Sequence, residues 1–234
     1  MTQAHNPDTE TEVLLASLRS FVFPGGQDAA QLVRGVRTTQ HGEMCSAPGA
    51  RWMPFTAVER IDATQSSFCW EARVGGSKLG SFMVTDAFEE GHGRLVVKLG
   101  GLIPLKKFSG PDFDKGEIQR YFSSILMCPP ILLNHASLEF TAIGNRTLRV
   151  RDHNDPTGAT VDFEIGEDGC PVTCRAERPR LIGKRSVLTP WSGTCSEFQE
   201  WNGLRVAHRI EVCWHLPEGA FTYFREEITS YTAM

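Results

Sequence analysis

From Arg51 onward, apolar and polar residues alternate with a period of two in a series of short runs. They read "FTAVERID", "SFCWEARV", "GSFMVTDAF", "RLVVKL", "LEFTAI", "TLRVRD", "ATVDFEIG", "PVTCRAER", "SEFQEW", "LRVAHRIEVCWHL" and "FTYFREEIT". Turn signals separate them: "VGGSK", "EEGHG", "GPDFDKG", "IGN", "HNDPTG", "GEDG", "EWNG" and "LPEG". Roughly eleven strands at this spacing predict an antiparallel barrel or a strongly bent sheet.

Two stretches break the alternation. Residues 10–23 place Val13, Leu14, Ala16, Leu18 and Phe21 near one face of a helix that Pro24-Gly25-Gly26 stops. Residues 114–127 place Ile118, Tyr121, Phe122, Ile125 and Leu126 on another helical face, with Asp112 and Asp114 as candidate N-caps and Pro129 ending it. One amphipathic helix inside a strand meander needs a sheet to lie on, so the sheet is expected to wrap around it or be capped by it. On this helix Arg120 falls opposite the apolar stripe, and its expected partner is Glu117 in a surface ion pair. Residues 1–9 read as a disordered tail, and 10–234 as a single β-barrel-like domain, since no repeat, linker or low-complexity tract interrupts them.

The bulk properties narrow the partners. The chain has 234 residues, 41% hydrophobic and 22% charged, enough to build a core without metals or disulfides. A net charge of −4 argues against nucleic acid and against an anionic membrane as generic partners. The polar, acidic start "MTQAHNPDTETE" lacks the basic and then continuously apolar pattern of an export signal, so a cytoplasmic location is expected. Seven cysteines without a CxxC pair then read as free, mostly buried thiols.

Several short motifs occur in a fixed order: Trp52, Pro54, Phe55 and Ala57; Phe68, Trp70, Ala72 and Arg73; Asp86, Phe88, Gly91 and Gly93. They continue with Gly116, Glu117, Arg120, Tyr121 and Pro129, the pair Pro190-Trp191, and Gly203, Val206, Ala207, Glu211, Val212 and Trp214. In these the chain resembles, over 33–230, a bacterial family known only as a domain of unknown function. The resemblance implies a half-open antiparallel barrel with a helix, similar to lipoprotein and lipid carriers. Ser124 stands where the family tends to carry an acid, and Met127 where it tends to carry Trp before the proline. A role attached to those two residues does not carry over, which points to a different ligand in this branch.

Strand parity gives an independent route to a site, because a polar residue in phase with apolar ones points inward. Glu59, Asp86, Asp152, Arg178 and His208 are in phase on their strands, and Phe68-Trp70-Ala72-Val74 adds an aromatic wall. Singly, each has an ordinary structural explanation: a satisfied core histidine, a carboxylate–arginine tie, or, for Asp86 and Asp152 near turns, a turn cap. Together they describe a small-molecule pocket.

No nucleophile elbow, P-loop, dinucleotide fingerprint or zinc-ligand spacing is present, so neither cofactor nor metal is expected. The first functional reading is a cofactor-independent enzyme doing lyase, isomerase or hydrolase-type acid–base chemistry on an apolar, aromatic small molecule inside the barrel. A retro-aldol C–C cleavage in aromatic catabolism is one form of it. Glu59 or His208 would be the base and Arg178 the anion stabiliser, with Trp70, Asp86, Tyr121, His135, Trp191 and Tyr223 contacting the substrate. The alternative is a non-catalytic binder or carrier of apolar ligands. A homo-oligomer is compatible with either.

Overall fold

The computed structural model describes residues 7–75, 80–183 and 185–234. Most of the turn expected at "VGGSK", and the first six residues of the expected tail, lie outside these.

The N-terminal helix α1 (Pro7–Val22) begins within the expected tail. It buries Leu14, Leu15, Leu18 and Val22, while Val13, placed on the apolar face by the sequence, is exposed. Six strands follow as a meander: β1 (Gly35–Met44), β2 (Met53–Asp62), β3 (Phe68–Val74), β4 (Phe82–Glu89), β5 (His92–Leu99) and β6 (Ile103–Phe108). Then come α2 (Pro111–Ser123), a 3-10 turn (Ser124–Leu126) and a short α3 (Ile131–Asn134). The second half supplies β7 (Leu138–Ala142), β8 (Thr147–Asp152), β9 (Val161–Ile165), β10 (Pro171–Ile182) and β11 (Arg185–Ser196). A small hairpin of β12 (Gln199–Trp201) and β13 (Leu204–Val206) precedes β14 (Arg209–Leu216) and β15 (Gly219–Ala233).

Among the described residues, thirteen of these strands form one sheet in the order β6-β5-β4-β3-β2-β1-β15-β14-β11-β10-β9-β8-β7. Its pairings are antiparallel. The end strands β6 and β7 do not pair with each other, so the barrel is half open. Helix α2 lies inside the curve and touches β4 and β5 on one side and β9 and β10 on the other.

Both faces of α2 are therefore engaged, and Gly116, Glu117, Ile118, Gln119, Tyr121 and Phe122 are all buried. It starts earlier than the periodicity predicts, with Pro111 in its first turn and Gly110 (φ 119°) as N-cap. Asp112 and Asp114 sit in the first turn, where the helix dipole favours them. Asp114 accepts the backbone N–H of Gly93 at 2.7 Å, which pins α2 to β5. A Cβ at Gly93 would lie 2.9 Å from both Glu117 Cγ and Phe113 Cδ1, so this contact needs glycine.

Two strands escape the alternation rule. β6 contains Pro104 and lies on the sheet edge, where a missing N–H is tolerated. β11 contains Pro190, but its pairing with β14 starts only at Trp191. Likewise β9 accompanies β10 only to Arg175, leaving Pro179 on a free edge. Residues 176–183 and 185–190 thus project as a two-stranded arm, with exposed Leu181, Ile182, Val187 and Leu188 far along it.

All seven cysteines are free, and Cys45, Cys128, Cys174 and Cys195 are buried. Apolar packing divides into a large cluster and a smaller one around Phe55, Trp70 and Val84.

Candidate functional site

Glu59, Trp70 and Asp86 stand side by side across β2, β3 and β4, since Glu59 pairs with Trp70 and Trp70 with Asp86. Strand alternation turns all three to the concave side, in phase with Phe55, Ala57, Phe68 and Val84. Arg120 comes down from α2 onto this row. Its Nη2 donates to Glu59 Oε1 at 3.0 Å and its Nη1 donates to Asp86 Oδ2. The guanidinium lies over the Phe68 and Trp70 rings, 4.5 and 5.5 Å from their centroids. The second oxygen of Glu59 accepts from Gln40 Nε2 at 2.8 Å, and Gln40 Oε1 accepts from Trp70 Nε1 at 2.8 Å. Glu59 is thus held on both sides.

A second arginine enters from β10. Arg178 Nη2 donates to Gly116 O at 2.6 Å, lies 3.9 Å from Glu117 Oε1, and places its guanidinium 4.7 Å from the Trp191 ring centroid. Opposite it, β15 contributes Tyr223, Phe224 and Glu226. Tyr223 accepts a hydrogen bond from Trp191 Nε1 at 3.1 Å.

Four carboxyl groups, Glu59, Asp86, Glu117 and Glu226, therefore share one space with two guanidinium groups. All six are largely removed from water, so full ionisation is unfavourable. Burial works against the charge on Arg120, but the carboxylates of Asp86 and Glu59 outweigh it and hold Arg120 charged. Burial raises Glu59 and Asp86, with Arg120 pulling each back down. Glu117 is pushed up to about 8, first by burial and then by the charge of Asp86. Glu226 is also pushed up to about 8, by burial and then by the charge of Glu59. Asp86 Oδ1 and Glu117 Oε2 have no donor among the protein groups around them; a proton on Glu117, shared with Asp86, satisfies the pair. The assembly is neutral when Glu117 and Glu226 hold protons.

These groups line a cavity of about 340 Å³ between α2 and the curved sheet. Met44, Val84, Leu95, Phe113, Val212 and Phe224 contribute apolar wall, and Leu181 of the arm stands at its margin, half exposed. Apolar walls over a small polar floor suit a ligand that is mostly apolar with one polar end.

Of the residues singled out from sequence, Glu59, Trp70, Asp86, Arg178, Trp191 and Tyr223 come together here. Three do not. His208 lies between β13 and β14 and does not line the cavity; the chain changes sheets there, so parity counted from Leu204 does not apply. Tyr121 is fully buried and donates to Asp62 O at 2.9 Å, on the core side of α2. His135 sits elsewhere, with Ser66 Oγ at 3.1 Å, and burial lowers its pKa. Asp152 accepts from Ser66 Oγ at 2.9 Å and from the Asn154 N–H at 2.9 Å, as a turn cap. Arg120 is corrected in the opposite sense, from a surface pair to the centre of the site. Glu117, Glu226 and Gln40 were not foreseen.

The chain belongs to a family of unknown function, DUF6544, whose sequence profile matches residues 18–226. No curated protein matches it in sequence. Solved structures share its fold, two of them as follows. One is a LolA superfamily protein from Nitrosomonas europaea, with 8% identity, covering 96% of this chain and 93% of that one at a TM-score of 0.52. The other is a DUF1329 family protein from Desulfovibrio piger, with 9% identity, the same coverage of 96% and 93%, and a TM-score of 0.54. Identities this low speak to the half-open, mainly antiparallel architecture alone.

Proposed function

We propose that this protein binds and carries an apolar ligand in the hollow of its half-open barrel. The observation that supports this most is the cavity itself, about 340 Å³ with apolar walls and a charged floor under α2. Its size falls within the range of small-molecule sites. Arg120 holds Glu59 and Asp86, and Arg178 faces Glu117, which is how a rigid binding surface is kept ready.

The catalytic reading expected from sequence has less to stand on. His208 lies outside the cavity, and both oxygens of Glu59 are already engaged. An enzymatic role would fall instead to Glu117 or Glu226, which hold protons near neutral pH as a general acid must.

The test is displacement of the neutral, apolar dye Nile red from the purified protein, compared with Val212→Trp and Val84→Trp, which fill the cavity. Binding in wild type that disappears in both filled variants, with melting temperature kept, supports the proposal. Binding that survives in both sinks it. Product formation from a bound aromatic compound, lost in Glu117→Gln or Glu226→Gln, would move the function to catalysis.

A further inference from the structure

Glu226 is the group in the cavity that the rest of the site does not explain. It is 5% exposed and lines the cavity, yet it makes no hydrogen bond or ion pair among the described residues. Every other charged side chain of the floor has such a contact. Arg120 holds Glu59 and Asp86, and Arg178 faces Glu117. A buried carboxyl without a partner is costly, and a binding site is where such a cost is offset by a ligand.

We propose that Glu226 receives the amine or ammonium end of the apolar ligand. This rests on the binding function proposed above and specifies the ligand's polar group. The charge balance favours a cation over an anion. The cavity lining has five carboxyls, with Asp112 added to those of the floor, and three guanidinium groups, with Arg180 added, so the excess is acidic. The charges that face Glu226 are Glu59 from β2 and Arg120 from α2. Across the sheet its neighbours are Gly42 on β1 and Ile210 on β14, which carry none. Asp86, Asp112, Glu117, Arg178 and Arg180 complete the cavity's charged set. Arg120 is already matched by two carboxylates. The buried Nε of Arg178 has no acceptor, but an anion placed there would stand beside Glu117. An ammonium at Glu226 would face Arg120, but that guanidinium is already matched by Glu59 and Asp86, and Phe224 and Trp70 nearby offer ring faces to its alkyl or cationic portion.

The exchange balances in charge. In the empty site Glu226 carries a proton. The ammonium enters, Glu226 gives its proton to solvent, and a carboxylate–ammonium pair remains. One positive charge leaves and one arrives.

Decylamine, decanol and decanoate, each below its micellar concentration, separate the possibilities by tryptophan fluorescence or calorimetry. The amine stays an ammonium and the acid a carboxylate from about pH 6 to pH 8. Decylamine is expected to bind at least about tenfold tighter than decanoate, and to tighten by up to about tenfold per pH unit over this range, as release of one proton requires. In Glu226→Gln the pH dependence vanishes and the ratio of amine to alcohol affinity falls toward one. Glu226→Leu, checked for folding by its melting curve, gives the same collapse if Gln retains a hydrogen bond to the amine. Equal binding of all three probes, tighter binding of decanoate, or an unchanged amine preference in both variants overturns the assignment while leaving the binding function. Absence of binding by any of the three overturns both.

Discussion

Arg120 Nη2 donates to Glu59 Oε1 at 3.0 Å, and that bond joins the internal helix to the strand row beneath it. Because the same guanidinium also holds Asp86, its loss leaves two carboxylates buried without a cation. Arg120→Met is expected to cost about 3–5 kcal/mol in urea unfolding. Adding Glu59→Gln and Asp86→Asn should recover most of it, because no uncompensated charge remains. A triple variant as unstable as the single one would show that Arg120 acts by packing on Phe68 and Trp70 instead.

The backbone beside Glu226 imposes a second demand. Gly42 pairs with Glu226 on one side and with Phe55 on the other. A Cβ there would lie 2.0 Å from Arg225 O and 2.8 Å from Phe55 Cζ. The oxygen belongs to a paired strand and cannot retreat as a flexible side chain would. Gly42→Ala is expected to destabilise by about 3 kcal/mol, the upper end of ordinary overpacking. Thermal melting that matches wild type would mean the β1–β15 pairing is looser than its register implies.

These relationships show where parity could be read from sequence and where it could not. On β2, β3, β4 and β10 the strands run unbroken past the site, so Glu59, Trp70, Asp86 and Arg178 followed the alternation. On β15 the register shifts opposite Val212–Cys213, and both Tyr223 and Phe224 reach the cavity. Two phases of "FTYFREEIT" thus look equally apolar, which hid Glu226 although it alternates with Phe224 and Ile228. His208 failed for the converse reason, a strand that ends at Val206 and restarts at Arg209. Arg120 was misplaced because a helical wheel assigns the polar side to water. Inside a curled sheet that side faces the cavity, and only the three-dimensional closure reveals it.

Protonation should be visible in stability. Glu117 and Glu226 are each raised to about 8 in the folded protein, whereas unfolded they titrate near the ordinary glutamate value of 4.5. Between those limits the folded state binds more protons than the unfolded state, so these two groups make stability fall as pH rises towards about 8. The ligand-free protein is expected to melt at progressively lower temperature over that interval. Glu117→Gln with Glu226→Gln should flatten the slope. A melting temperature that climbs across the interval, unchanged by the double substitution, would show that neither group holds its proton.

The arm formed by residues 176–183 and 185–190 sets the last expectation. It is fastened to α2 through Arg178 to Gly116 O and Gln119 Nε2 to Glu177 O, at 2.6 and 3.1 Å. Past Pro179 no neighbouring strand accompanies it, since β9 pairs only to Arg175 and β14 only from Trp191. Its tip amides should therefore exchange with deuterium well before those of Thr173 and Cys174, which sit between two strands. Leu181, 55% exposed, also lines the cavity, so the tip forms part of its rim. Leu181→Ser is expected to shift stability by less than about 0.5 kcal/mol, as at other exposed sites. It removes apolar wall, so affinity for an apolar ligand should drop by up to about tenfold. Slow exchange at the tip, or affinity unaffected by the substitution, would mean the ligand passes by another edge of the half-open barrel.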